Sequence, residues 1–92
     1  MKIDLDVLTR YLHQMRNKPG WAPLNEVAAT AKMDRATSRR YTKIATEWGL
    51  IERQQIENEP TQIQATDKLI KLEPGDVRKV VQEYSDRDAS QF

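Results

Sequence analysis

The stretch from Asp34 to Leu50, DRATSRRYTKIATEWGL, constrains this chain more than any other. Tyr41, Ile44, Ala45 and Trp48 recur at the i, i+3, i+4, i+7 spacing that stacks side chains on one stripe of a helix. At about 100° per residue, Arg35, Arg39 and Lys43 fall on the opposite side, with Arg40 on a flank. Asp34 is placed to cap the first turn through its carboxylate, and Gly49 to close the last one in a left-handed conformation. No acid interrupts the run from Arg35 to Thr46. A helix of this kind gives one face to a core and the other either to something negative or to solvent.

Charge distribution sharpens that choice. The net charge is only +1 over 92 residues, too weak to argue a partner by itself. Yet residues 35–43 carry Arg35, Arg39, Arg40 and Lys43 without a carboxylate, while residues 44–60 set Glu47, Glu52, Glu57 and Glu59 against Arg53. A near-neutral chain can thus still present a local basic patch. Its length suits one small domain, and at this size burial is modest, so tight packing or oligomerisation is expected. Without cysteine there are no disulfides or thiolate metal sites. No apolar run approaches the roughly 18 residues of a membrane span. Asp4 and Asp6 stand where the apolar core of a secretory signal would begin. A cytoplasmic, nucleoid-associated location is therefore expected, with no membrane partner.

Residues 4–17 read as a first helix, with Leu8, Tyr11, Leu12 and Met15 in an apolar stripe, ended by Asn17-Lys18-Pro19-Gly20. Trp21-Ala22-Pro23 is an extended link, because a residue before proline avoids the helical region, and the large Trp21 is expected to plug the core. Residues 24–31 form a short second helix with Leu24, Val27, Ala28 and Ala31 on one face, and Lys32-Met33-Asp34 leaves room only for a tight turn. Residues 50–56 and 61–66 read as two strands around the turn Glu57-Asn58-Glu59-Pro60. The segment 67–73 fits either a helical turn or a continued strand, with Leu69, Ile70 and Leu72 expected on the core. A last helix is predicted over 77–84, carrying Val77, Val80, Val81 and Tyr84 on one side. The predicted organisation is a single domain over 1–84 followed by a flexible polar tail over 85–92.

Residues 24–51, LNEVAATAKMDRATSRRYTKIATEWGLI, resemble the core of winged helix-turn-helix transcription regulators of the MarR and IclR type. The Val27-Ala28 pair stands where those families have a buried Leu-Ala, Met33 at their apolar turn position, and Asp34 at their capping position. Trp48-Gly49-Leu50-Ile51-Glu52-Arg53 is similar to the ending that leads into their first wing strand. The resemblance implies a mainly α fold with a small β-hairpin, the wing. One departure is Lys32, where those families commonly place glycine; a left-handed lysine there stores about 1–2 kcal/mol of strain.

Enzyme chemistry has little to stand on. His13 is the only histidine, the acidic pairs Asp4/Asp6 and Glu57/Glu59 lack further ligands, and each of the three glycines marks a break rather than a phosphate loop. No catalytic residue, metal site, cofactor or small-molecule ligand is expected. The surviving expectation is a transcription regulator, in the repressor sense, that binds double-stranded DNA. Arg35, Arg39 and Lys43 would enter the major groove, Arg40 would take a base or a phosphate, and Ala36 would touch a thymine methyl. Thr37 and Thr42 would meet phosphates at the edge, and Arg53, Gln54, Gln55, Gln62 and Gln64 would reach the backbone from the hairpin. The acidic tip, Glu57 and Glu59, repels phosphate. A homodimer through the first and last helices is expected, with Tyr11, Met15, Val80, Val81 and Tyr84 as its seam. The alternatives are a winged helix used for protein interaction, or a small architectural, recombination or plasmid-replication factor.

Overall fold

The Asp4 side chain accepts hydrogen bonds from the backbone N–H groups of Asp6 and Val7, and the chain turns into its first helix there. A computed structural model describes residues 3–90. The order is α1 (Leu5–Asn17), β1 (Ala22–Pro23), α2 (Leu24–Thr30), α3 (Arg35–Glu47), β2 (Ile51–Gln54), β3 (Gln62–Ala65), α4 (Asp67–Ile70) and α5 (Pro74–Ser90). The architecture is mainly helical with a small antiparallel sheet, as the spacing of apolar residues predicts.

The link 22–23 does more than connect. It pairs with β3 through Ala22 opposite Ile63 and Pro23 opposite Gln62, so the expected hairpin becomes a three-stranded sheet in the order β1-β3-β2. An edge strand tolerates proline because its missing N–H is not needed by a neighbour. Trp21, expected in the core, is 46% exposed just before this strand. The strands are shorter than predicted, which leaves Ile56 exposed beyond the end of β2. Ile70 is also exposed at 39%, against expectation, whereas Leu69 of the one-turn helix α4 is buried.

The core gathers Leu8, Tyr11, Leu12 and Met15 of α1 with Tyr41 and Ala45 of α3, Ile63 of β3, and Val77 and Val81 of α5. This corrects the proposed dimer seam: Tyr11, Met15 and Val81 are each at most 1% exposed within a single chain. Helix α5 begins at Pro74, a residue suited to a first helical position, and runs to Ser90. Residues 85–90, predicted as tail, therefore continue the helix; residues 91–92 of that predicted tail lie outside the described residues.

Two helix ends are built alike. After α3, Gly49 takes a φ of +75°, its N–H bonds the Thr46 carbonyl, and the Leu50 N–H bonds that of Ala45. After α2, Lys32 takes a φ of +58°, its N–H bonds the Ala29 carbonyl, and the Met33 N–H bonds that of Ala28. Both are Schellman closures, in which a left-handed residue lets two late carbonyls find donors. The second one sets the turn that aims α3.

Candidate nucleic-acid interface

Helix α3 is held from behind by its neighbours in the core. The Tyr11 and Thr42 hydroxyls share a hydrogen bond of 2.8 Å, and the Asp4 N–H donates to the Tyr41 hydroxyl at 2.8 Å. Both contacts tie α1 and its cap to α3. Burial pushes the Tyr11 phenol up to about 12, with the Thr42 hydrogen bond opposing the shift. Thr42 is 1% exposed, so the predicted phosphate contact from its side chain does not exist: that hydroxyl is committed inside the protein. At the far end, the Trp48 and Tyr84 rings stack with centroids 5.3 Å apart, and Lys68 donates to the Trp48 carbonyl and to the Tyr84 hydroxyl.

With Ser38, Tyr41, Thr42 and Ala45 turned inward, the other side of α3 faces out. Arg35, Ala36, Arg39 and Lys43 are all exposed. Among the described residues, no carboxylate lies at ion-pair distance from Arg35, Arg39 or Lys43. Arg40 is half-buried, its guanidinium 5.2 Å from the centroid of the Tyr41 ring. The first turn of α3 has no acidic residue and the last turn no basic one. That order runs against the helix dipole, which favours anions at the start and cations at the end. Arg35 is thus poorly placed to stabilise its own helix, and its charge is available for something else.

Asp34 supplies the missing cap. Its carboxylate accepts the Thr37 N–H at 2.7 Å, and hydrogen bonds from the Thr37 N–H and hydroxyl, with the nearby Arg40 charge, hold it below the usual carboxylate range. The Thr37 side chain is therefore drawn toward its own helix end.

The wing meets this face at a cleft of about 220 Å³. Arg35, Ser38 and Arg39 of α3 line one wall, Asn25 of α2 lies at the side, and Gln55, Glu59 and Thr61 come from the wing. The Leu24 N–H donates to the Thr61 carbonyl at 2.9 Å and fastens the base of the wing to α2. Of the residues singled out in the sequence, Arg35, Arg39 and Gln55 converge here, while Ala36 and Lys43 continue the exposed face of α3. Arg53 and Gln62 do not line the cleft. Arg53 lines a separate shallow depression with Trp21, Thr46 and Gln54, and Gln62 is half-buried in the sheet. Gln64 donates to the Glu52 carboxylate at 2.7 Å, which occupies its amide. Nothing in the sequence pattern marks Asn25, Ser38 and Thr61, because only the folded chain brings them beside the two arginines.

Comparison with solved structures places the architecture. A MarR transcriptional regulator from Methanosarcina mazei Go1 is 24% identical at a TM-score of 0.66, covering 94% of this chain and 62% of that one. The fold is the winged helix of MarR-family transcription regulators. The transcriptional regulator SlyA, 30% identical at a TM-score of 0.64, covers 91% of this chain and 58% of its own. MarR itself is 24% identical at 0.66, with 95% and 64% covered. The chain thus spans about six-tenths of the length of these MarR-type structures. The first two are transcriptional regulators. No family model and no curated protein matches the sequence. Among the described residues, no helix is long and apolar enough to cross a membrane.

Proposed function

We propose that this chain is the DNA-binding part of a transcription regulator and reads double-stranded DNA with α3 in the major groove. The observation that carries the reading is the row of Arg35, Arg39 and Lys43, exposed and unpaired by any carboxylate among the described residues, on the one face of α3 that the core leaves free. Arginine forks match guanine O6 and N7, and an exposed Ala36 suits the methyl of thymine. Arg40 is close enough to the groove face to take a phosphate. Gln55 shares the cleft with the arginines and supports a backbone contact from the wing, with Arg53 and Gln62 as more distant contributors.

A two-fold dimer would set two α3 helices about one DNA turn apart and favour a palindromic site. Its seam has to come from outward residues of α1 and α5, since Tyr11, Met15 and Val81 belong to the core. Repression by occupying a promoter is the simplest mode of action for such a dimer.

The test is a fluorescence-anisotropy titration of mixed-sequence duplex DNA over a range of salt. Counterion release makes log K fall linearly with log salt. Arg39→Ala and Lys43→Ala should each weaken binding and flatten the slope by about one, with unchanged thermal unfolding. Variants that bind like the parent would remove α3 as the reader. The acidic wing favours a second reading, a winged helix that docks protein, and that reading predicts no salt-dependent duplex binding at all.

A further inference from the structure

Glu59 shares the cleft with Arg35 and Arg39, although a carboxylate there opposes the phosphate that the arginines suit. The backbone carrying it is tied on both sides. The Glu59 N–H donates to the Ile56 carbonyl at 2.9 Å, Asn58 takes a φ of +67°, and the Thr61 carbonyl is held by the Leu24 N–H. Pro60 between them fixes one more dihedral. No ion pair joins Glu59 to either arginine among the described residues, so any effect of its charge on a phosphate at the cleft is long-range and screened by salt.

We propose that Glu59 restrains DNA binding: it lines the cleft together with Arg35 and Arg39, and its negative charge weakens sequence-independent binding of duplex DNA. The proposal rests on the DNA-binding reading given above and deepens it. Sequence-independent binding is almost wholly phosphate electrostatics, whereas a cognate site adds contacts to base edges. An anion beside the arginines weakens the phosphate term that every duplex shares, so it lowers the occupancy of random DNA. Glu57 belongs to the same wing tip but does not line the cleft, which makes it the internal control.

The experiment compares the parent chain, Glu59→Gln and Glu57→Gln in anisotropy titrations of mixed-sequence duplex across salt. Thermal unfolding of each variant confirms an intact fold. Glu59→Gln should bind about 3–10-fold tighter at low salt, with the log–log slope steeper by about one-half to one. Glu57→Gln should change affinity by less than about twofold. In an Arg35→Ala/Arg39→Ala background the Glu59→Gln gain should disappear. If the parent binds in a salt-dependent manner and Glu59→Gln matches it, or both glutamate variants gain equally, the role of Glu59 is overturned while the DNA-binding reading stands. If neither the parent nor Glu59→Gln binds duplex in a salt-dependent manner, both fall together.

Discussion

Removing one buried oxygen, in Tyr11→Phe, tests how α3 is held. The phenol is fully buried and its partner, the Thr42 hydroxyl 2.8 Å away, is 1% exposed. Truncating the tyrosine leaves that hydroxyl without its partner and without water, a penalty of about 1–3 kcal/mol. For a domain of this size each kcal/mol lowers Tm by about 4–8 °C. Thr42→Val, close in shape, should cost a similar amount for the converse reason. The double variant replaces both polar partners and should be more stable than the sum of the two losses predicts, by about 1 kcal/mol of coupling. Urea unfolding followed by circular dichroism measures all four species. A strictly additive cycle, or a Tyr11→Phe chain as stable as the parent, would refute the cross-helix tie. The same phenol has a consequence for pH. Its folded pKa, raised to about 12 from 10.0, means the folded chain holds a proton that the unfolded chain releases. Its contribution to stability is complete below pH 10 and is lost as pH rises through the folded value. Between those two values each step of one pH unit removes about 1.4 kcal/mol. The parent should therefore lose stability across this interval faster than Tyr11→Phe does.

Two further outcomes concern the turn that aims α3. Lys32→Gly should raise stability by about 0.5–1 kcal/mol, because relief of left-handed strain exceeds the added freedom of the unfolded chain; a lower urea midpoint would contradict this. Asp34→Ala should destabilise the start of α3 at neutral pH. Since its partners depress the Asp34 pKa below the ordinary 3.8, the cap is fully present above that value and is lost as pH falls through the folded one. The difference between parent and variant should shrink on acidification, as read by unfolding at a series of pH values.

The long helices are legible in the sequence because α1 and α3 each repeat apolar residues at helical spacing, and the wing because Ile63 and Ala65 alternate with glutamines. The capping role of Asp34 and the inward stripe of Tyr41 and Ala45 need no tertiary information either. By contrast, β1 is two residues long and half proline, so no local pattern announces it. The size of Trp21 argues for burial, whereas its place beside an edge strand keeps it at the surface. Residues 85–90 look polar enough to fray, yet extending a helix already packed through Val77 and Val81 is easier than starting one. The apolar stripe of α1 demands a partner without naming it: the partner is α5 of the same chain. For the candidate site, periodicity gives the outward row of cations. The meeting of Arg35 and Arg39 with Glu59 depends on how the wing folds back, which no local pattern carries.

Whether the cationic face of α3 is the surface that meets DNA can be decided by amide chemical-shift mapping of the ¹⁵N-labelled chain during titration with duplex DNA at low salt. The largest changes are expected on Arg35, Ala36, Arg39 and Lys43 and on the cleft residues Asn25 and Gln55, and raising the salt should reverse them. Shifts confined to α1 and α5, or none at all, would show that DNA does not engage this face.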